Sequence, residues 1–418
     1  MLESGVLDIY AGRMNALSFQ KYATSNCAAT DRPAAQSLFP QFLTHLQATS
    51  LVTECPYFCA VEATEARPNA ALPVADIAAA KTASDRGLEV IMSETNSASC
   101  SGFAGLSDSF GVAMWLIDWA LTLAYRDFSS ALLHVGGQSA FYNVRKIAFG
   151  INHSPELTRL PCLQPFTPPQ TNETNFRQWT TGSSYFSMLV VSEVLGSSNS
   201  SQVVDLTGGG SDATYQYLPA YCIFENGVAA RVVLFNYASD ASGANDATMV
   251  LDLTSLPSIP ASVQVRYLRA DSVAEQTNIT WAGQSFGGAF ESDGMLKGTR
   301  ANLTAPCDVE AKSCTIKMFA PSVAIVFLTD ASFDESTPAD GAVVEYTSTA
   351  GAGATNTRVA PEVLQTSNGH GGSQWTVKLG STSNEQKYTY NGAIGRVSAS
   401  GAALALLTAA LGAAAVLF

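Results

Sequence analysis

The sequence predicts an α/β region followed by an all-β region, and two observations support this fold class. Up to Gly196, segments with apolar residues at helical spacing alternate with short apolar runs typical of buried parallel strands. Beyond Gly196 the apolar period changes to two, and Asn, Gly and Pro separate the strand-like runs. At 418 residues the chain is long enough for two or three domains.

The α/β region, residues 1–196, begins with a strand-like run and continues with helical segments that lead into further strands. Its last helix ends on Gly196, a residue type that favours a helix C-cap. The predicted strands lie at 16–22, 87–92 and 129–135, and the predicted helices at 33–46, 76–86, 108–125 and 174–196.

The helix at 108–125 carries the strongest helical apolar pattern in the chain. Apolar residues recur three and four positions apart, which predicts an amphipathic helix with one buried face. Ser107 or Asp108 can cap its start. The apolar stripe consists of Phe110, Met114, Ile117, Leu121 and Tyr125.

The all-β region, residues 197–330, contains many short strand-like runs separated by turn residues. This pattern predicts an antiparallel β-sandwich. The predicted strands lie at 202–206, 215–225, 229–237, 248–253, 263–270, 278–281, 314–318 and 323–328.

One stretch of the α/β region carries the candidate chemistry. The apolar run at 87–92 is followed by Glu94 and a series of small polar residues. In a (β/α) barrel the catalytic groups lie where the parallel strands end, so Glu94 occupies a position suited to a nucleophile. On position alone, the alternative is a solvated loop glutamate that follows a core strand.

Longer motifs add a family resemblance. SETNSASC at 93–100, GLSDSFG at 105–111, ALLHVGGQ at 131–138 and PFTPP at 165–169 resemble fungal glycoside hydrolase family 79, the β-glucuronidase and heparanase-like enzymes. The resemblance covers roughly residues 7–330. It implies that residues 1–196 are the C-terminal half of a (β/α)8 TIM barrel, followed by a β domain that buttresses the barrel without taking part in catalysis.

The resemblance implies a retaining, β-glucuronidase-like hydrolase that removes terminal β-linked glucuronic acid from glycans, with Glu94 as nucleophile. No metal or organic cofactor is implied, because two carboxyl groups suffice. For His134 a packed barrel histidine is the alternative, and Lys21 stands where the family usually has His. The residues expected to contact the sugar are Tyr22, Asn96, Ser99, His134, Gln138 and Tyr142.

The family's acid/base residue is a glutamate in an Asn-Glu-Pro-like motif at the end of the fourth strand. No such tripeptide occurs in this sequence, and no signal peptide begins it. We therefore expect a truncated sequence that lacks half of the barrel and the acid catalyst. The alternative function is a non-catalytic, lipid-anchored cell-wall protein that keeps the β domain.

Residues 144–164 interrupt the resemblance, because the family runs from a Tyr-Asn pair like 142–143 directly into PFTPP. We interpret this segment as a translated, retained intron. The codon of Val144 begins with GT, that of Gln164 can end in AG, and residues 157–158 can encode the branch-site sequence CTGAC. A genuine surface loop is the alternative, and residues 52–72 are a second candidate insertion.

Net charge, cysteine spacing and glycosylation sequons indicate which partners and which cellular compartment suit this chain. The net charge of −13 and the pI of about 4.7 argue against nucleic acid and anionic membrane surfaces as partners. No cysteine or histidine spacing fits a metal site. A local disulfide is expected between Cys307 and Cys314. The expected N-glycosylation sites are Asn172, Asn199, Asn278 and Asn302.

The C-terminal part has a different composition. Residues 331–393 are rich in Ser, Thr, Gly and Ala, which is typical of a flexible stalk. Residues 394–418 end in an uncharged, Ala- and Leu-rich tail, which predicts a glycosylphosphatidylinositol signal with attachment at Asn391. The expected location is the cell surface or wall, through this lipid anchor. A tail-anchored transmembrane helix of marginal length is the alternative.

Overall fold

The structure, a computed structural model, describes most of residues 6–336 and one short C-terminal segment. Expectations for Gln138, Tyr142, Asn172, Asn199 and Asn391, for 54–72, for 144–164 and for 337–393 lie outside the described residues. The predicted stalk does not begin at residue 331, because Asp330–Glu335 form a helix in which Ser332 is buried. The described residues are 6–10, 12–27, 33–53, 75–100, 102–134, 166–167, 180–198, 200–208, 215–240, 242–288, 291–292, 295–336 and 413–417.

The predicted α/β region is observed, and its centre is a small parallel sheet. Three parallel strands pair in the order β1, β2, β3, and a C-terminal strand, β15 (Ala413–Leu417), adds antiparallel to β3. The elements are α1 (Val6–Ile9), β1 (Ala16–Ser25), α2 (Ala35–Phe42), α3 (His45–Thr53), α4 (Ala75–Asp85), β2 (Glu89–Ser99), α5 (Phe110–Tyr125), β3 (Ser130–His134), β4 (Phe166–Thr167), β5 (Thr180–Thr181) and α6 (Ser183–Leu195).

Three helix predictions need correction. The helix predicted at 174–196 begins at Ser183, because Thr180–Thr181 form strand β5, which pairs with β4. The predicted helix at 33–46 is two helices, because the chain turns after Phe42 and restarts at His45. Helix α5 is capped by Ser109, whose hydroxyl accepts a hydrogen bond from the backbone N–H of Val112 at 3.4 Å. The predicted caps, Ser107 and Asp108, instead bind backbone N–H groups of the preceding loop.

Helix α5 is not amphipathic, because every residue from Phe110 to Leu123 is buried. One face packs against the all-β region and the opposite face against the parallel sheet. A helix that is apolar on all sides is typical of a core position between two layers. Only Tyr125, at the end of the predicted stripe, is exposed.

The all-β region is observed as one continuous antiparallel sheet of nine strands, in the order β6-β7-β8-β14-β10-β12-β13-β9, with β11 beside β10. The strand at 303–308 escaped prediction, because its residues are mostly exposed and lack apolar alternation. The elements are β6 (Ser201–Asp205), β7 (Ala220–Glu225), β8 (Val228–Asn236), β9 (Ala247–Asp252), β10 (Ser262–Arg269), β11 (Thr280–Trp281), β12 (Leu303–Asp308), β13 (Ser313–Met318), β14 (Ser322–Phe327) and α7 (Asp330–Glu335).

The sheet curls, so that its two faces bury different clusters. Apolar residues of β9 and β13 share one buried cluster with those of β8, β10 and β14, although these strands are distant in the sheet order. The other face of β7, β8 and β14 packs on α5 and α6. Among the described residues, no helix has both the length and the apolar character that a membrane span needs.

A buried polar network joins the two regions. Asp118, in the middle of α5, accepts hydrogen bonds from His45 Nδ1 at 2.8 Å, from Tyr237 Oη at 2.9 Å and from Tyr221 Oη. The other ring nitrogen of His45 contacts Asp205 Oδ2 at 3.2 Å. His45, Asp118 and Tyr221 have no exposed surface. The network therefore ties α3 and α5 to β6, β7 and the end of β8.

This network predicts a pH dependence of stability. Burial lowers the pKa of His45, but Asp118 and Asp205 outweigh it and raise that pKa to about 10. A raised pKa contributes stability that is complete below about pH 6.5, the unfolded pKa, and is lost as the pH rises toward 10. We expect the free energy of unfolding, measured in urea, to fall by a few kcal/mol across this range.

The matched control is the His45→Gln variant, which still folds around a polar side chain but has no group titrating at this position. Its urea stability should change less between pH 6.5 and 9.5 than that of the unmodified chain, because other alkaline titrations are common to both. Equal slopes for the two proteins would contradict the predicted role of His45.

Candidate active site

Three neighbouring parallel strands each contribute one residue to the site. Glu94 lies in the middle of β2, which continues to Ser99, so the prediction that the strand ends just before Glu94 is wrong. Tyr22 of β1, Glu94 of β2 and His134 of β3 form a connected trio. The Tyr22 hydroxyl donates to Glu94 Oε1 at 2.5 Å and lies 2.7 Å from His134 Nδ1, which is 3.3 Å from Glu94 Oε1. The side chains of Glu94 and His134 are 37% and 36% exposed, so the trio is open to solvent.

The direction of the hydrogen bonds follows from counting protons. A tyrosine hydroxyl has one hydrogen, and Tyr22 donates it to the Glu94 carboxylate. The short contact to His134 then requires a hydrogen on Nδ1, so the imidazole donates to the Tyr22 oxygen. The result is a relay of donors that ends on one oxygen of Glu94.

A β-bulge places Glu94 in this position. On the β1 side, Phe19 pairs with Met92 but the next residue, Gln20, pairs with Glu94. The β3 side shows the same irregularity, since the four residues of β2 from Met92 to Thr95 lie opposite the three residues of β3 from Ala131 to Leu133. The extra residue therefore belongs to β2, and such bulges redirect a side chain beside an active site.

Two other predicted sugar-contact residues lie in β2. Asn96 is fully buried, and its amide donates to the backbone carbonyl of His134 at 2.9 Å, which links the ends of β2 and β3. Ser99 lies farther along, where its hydroxyl donates to Ser25 Oγ at 2.9 Å. In the structure both side chains connect strands, Asn96 in the interior and Ser99 in a partly exposed position.

A disulfide that the sequence left unassigned closes the same end of the sheet. Cys27 follows β1, Cys100 follows β2, and their sulfurs are bonded. The sequence carried little signal for this pairing, because the strands were predicted to end at residues 22 and 92, well before Cys27 and Cys100, and their adjacency was not known. The structure also pairs Cys307 with Cys314, in directly opposed positions of β12 and β13.

The two remaining predicted glycosylation sites that the structure describes lie in the all-β region. Asn278 and Asn302 are both exposed, on either side of β11 in the chain. Asn278 donates to Glu275, while Asn302 accepts from the Arg266 guanidinium through Oδ1. Within the described part of the chain, no group of three or more His, Cys, Asp or Glu residues is placed to hold a metal ion.

Comparisons with known proteins bear out the resemblance to glycoside hydrolase family 79 that the motifs predicted, with the family model matching residues of the all-β region. Residues 220–325 match the family model described as the glycosyl hydrolase family 79 C-terminal beta domain. A β-glucuronidase of Aspergillus niger is 27% identical over 212 residues, which cover 48% of this chain and 34% of that protein. The chain thus spans about a third of the length of this curated relative.

A solved structure shows the same fold. The crystal structure of a 4-O-α-L-rhamnosyl-β-D-glucuronidase from Fusarium oxysporum 12S superposes with a TM-score of 0.51 at 17% sequence identity. The match covers 75% of this chain and 53% of that one. The order of α/β and antiparallel regions described above therefore also occurs in a solved glycosidase structure.

Proposed function

We propose, from its relationship to glycoside hydrolase family 79, that this chain is part of a retaining β-glucuronidase-like hydrolase. The observation that supports the proposal best is the trio formed by Tyr22, Glu94 and His134 on three neighbouring parallel strands. Glu94, carried on a bulge, accepts the Tyr22 hydroxyl while remaining open to solvent. A solvent-accessible carboxylate with an oriented hydrogen-bond donor is suited to act as a nucleophile.

The proposed step is a displacement at the anomeric carbon. Both contacts of the trio use Oε1 of Glu94, which leaves Oε2 to attack C1 of the sugar. A bond forms between the carboxylate oxygen and C1, while the bond from C1 to the leaving group breaks and its electron pair departs with that group. Tyr22 holds the carboxylate in place, and the covalent glycosyl-enzyme is then hydrolysed by water.

The proposal includes the finer features of the family. The parallel strands would belong to a (β/α)8 barrel, and the curled sheet to a β-sandwich. The acid/base carboxyl group would lie about 5–5.5 Å from the nucleophile, as in retaining glycosidases generally. The substrate would be a glycan with a terminal β-linked glucuronic acid, as the names of the two relatives suggest. A glycosylphosphatidylinositol anchor and a cell-surface location remain part of the proposal.

The test traps the nucleophile without the acid catalyst. 2-Deoxy-2-fluoro-β-D-glucuronosyl fluoride carries a leaving group that departs without protonation, so Glu94 alone can displace it. We expect the 418-residue chain to gain the mass of one fluoroglucuronosyl group, on the peptide that contains residues 89–99. Labelling of another carboxylate would contradict the role of Glu94. Absence of any label would favour the non-catalytic wall protein.

A further inference from the structure

The bulge that carries Glu94 is fixed from both sides by hydroxyl groups. On one side, the Ser93 hydroxyl donates to the backbone carbonyl of Phe19 in β1 at 2.9 Å. On the other side, Thr95 Oγ1 accepts a hydrogen bond from the indole N–H of Trp119 at 2.9 Å. The two residues that flank the proposed nucleophile therefore anchor β2 to different neighbours, the next strand and the helix behind the sheet.

The contact between Thr95 and Trp119 is buried, and the indole is closely packed. Thr95 and Trp119 are each only 1% exposed. Trp119 is stacked on Trp115, with ring planes 7° apart, and Phe42 meets Trp115 edge-on. An indole in such packing cannot reorient to follow a displaced partner, so its N–H fixes the position of the threonine oxygen.

We propose that Thr95 and Trp119 are positioning residues for the Glu94 carboxylate, an inference that rests on the proposed function. The extra residue of the bulge lies between Met92 and Thr95, so β2 alone leaves the direction of Glu94 undetermined. The bond from Trp119 fixes the end of the bulge directly after Glu94. The carboxylate is thereby held within reach of the Tyr22 hydroxyl.

The experiment compares Thr95→Val with Thr95→Ser. Valine has nearly the same shape as threonine but removes the acceptor and leaves the Trp119 N–H buried and unpaired. Serine keeps the acceptor. A displacement of about 1 Å at a reacting group can cost about 100-fold in rate, so we expect Thr95→Val to slow labelling by the fluoride reagent by about 10- to 100-fold. Thr95→Ser should stay within about threefold of the unmodified chain.

A matched control separates positioning from a general loss of stability. Thr122 is also a buried threonine that uses its hydroxyl in a hydrogen bond, to Tyr221 at 2.9 Å, but it lies on the side of α5 that faces the all-β region. Thr122→Val should lower the unfolding temperature as Thr95→Val does and leave the labelling rate unchanged. Equal slowing in the two valine variants would overturn the proposal.

Thr95→Val should change the saturating rate of labelling but not the reagent concentration that gives half of it. A positioning defect lowers the first-order rate of covalent labelling at saturation and leaves the reagent concentration for half-maximal rate unchanged. An increase in that concentration with an unchanged saturating rate would overturn the proposal, because the defect would then lie in sugar binding.

A structural measurement keeps the inference testable if the proposed function fails. If the unmodified chain takes no label, crystal structures of the two Thr95 variants decide the point. Loss of the hydrogen bond between Tyr22 and Glu94 in Thr95→Val, with its retention in Thr95→Ser, would support the positioning role. Retention of that bond in both variants would overturn it.

Discussion

Replacing Glu94 by Gln is expected to abolish the chemical step while leaving the fold intact. Glutamine keeps the size of the side chain and an oxygen that accepts the Tyr22 hydroxyl, so the trio survives. An amide oxygen is a far weaker nucleophile than a carboxylate, however. We expect the release of dinitrophenol from 2,4-dinitrophenyl β-D-glucuronide to slow by at least about 1,000-fold, which corresponds to about 4 kcal/mol of activation free energy.

This substrate isolates the step that Glu94 performs. Dinitrophenolate leaves without protonation, so the rate of the first turnover reports attack by the nucleophile and not acid catalysis. The measurement is therefore the burst of dinitrophenolate absorbance, in stopped flow, at protein concentrations comparable to the substrate. A burst of one equivalent per chain indicates that a glycosyl-enzyme has formed.

The matched control is Glu89→Gln. Glu89 is the first residue of the same strand, is exposed, and lies before the bulge on the opposite end of β2. The substitution is chemically identical and should leave the burst rate unchanged. The urea stability of both variants should stay within about 0.5 kcal/mol of the parent, as is usual for surface changes. If Glu94→Gln keeps a burst rate within tenfold of the parent, another group is the nucleophile.

Sequence patterns predicted the elements that bury apolar surface. The strand predicted at 263–270 agrees with β10 to within one residue at each end, because its apolar periodicity is complete. The helix predicted at 174–196 ends within one residue of α6 but begins too early, because Thr180–Thr181 form strand β5 and α6 starts at Ser183. Strand β12 escaped because its residues are mostly exposed, and the pattern of a strand depends on one buried face. Helix α5 was placed correctly, but its second buried face depends on a neighbour distant in the chain.

In the active site, too, the sequence predicted some features and could not predict others. Glu94 was predicted from its position after an apolar strand and from the motif around it, and the structure brings Tyr22 and His134 to it. The bulge that directs Glu94 could not be predicted, because it is defined by register against β1 and β3. The bond between Thr95 and Trp119 depends on the same tertiary arrangement.

The polar network between the two regions had one sequence signal that was overlooked. Asp118 is the only charged residue within α5, whose other residues are almost all apolar. An ionised carboxylate in such a helix is stable only when its hydrogen bonds and counter-charge are supplied by other elements. The sequence therefore indicated that partners exist, but identifying His45, Tyr221 and Tyr237 required the fold.

Asp118→Asn is expected to cause the largest loss of stability among these predictions. The substitution removes one of the two carboxylates that contact His45 and places an amide NH2 group among three hydrogen-bond donors. Breaking a fully buried ion pair on one side typically costs about 3–5 kcal/mol. Because His45 keeps its contact with Asp205, we expect a decrease at the lower end of this range in the free energy of unfolding, measured in urea at pH 6.5.

An exposed ion pair provides the matched control. Lys81 and Asp85 lie one turn apart on α4, with a 2.9 Å contact, and their side chains are 66% and 61% exposed. Asp85→Asn is the same chemical change, but solvent screens the pair, so the loss of stability should be far smaller than that of Asp118→Asn. Similar losses in the two variants would contradict a special role for Asp118.

A double substitution tests whether the cost arises from the uncompensated charge on His45. In Asp118→Asn with His45→Gln, neither buried charge remains at these two positions, so the combined loss should be smaller than the sum of the single losses by about 1–3 kcal/mol. Strict additivity would mean that Asp118 acts through the tyrosine hydroxyls alone.

The distinction matters for the site, because Asp118 anchors α5 to the all-β region and the next residue, Trp119, binds the strand that carries Glu94. Asp118→Asn should lower the free energy of unfolding several times more than Asp85→Asn does.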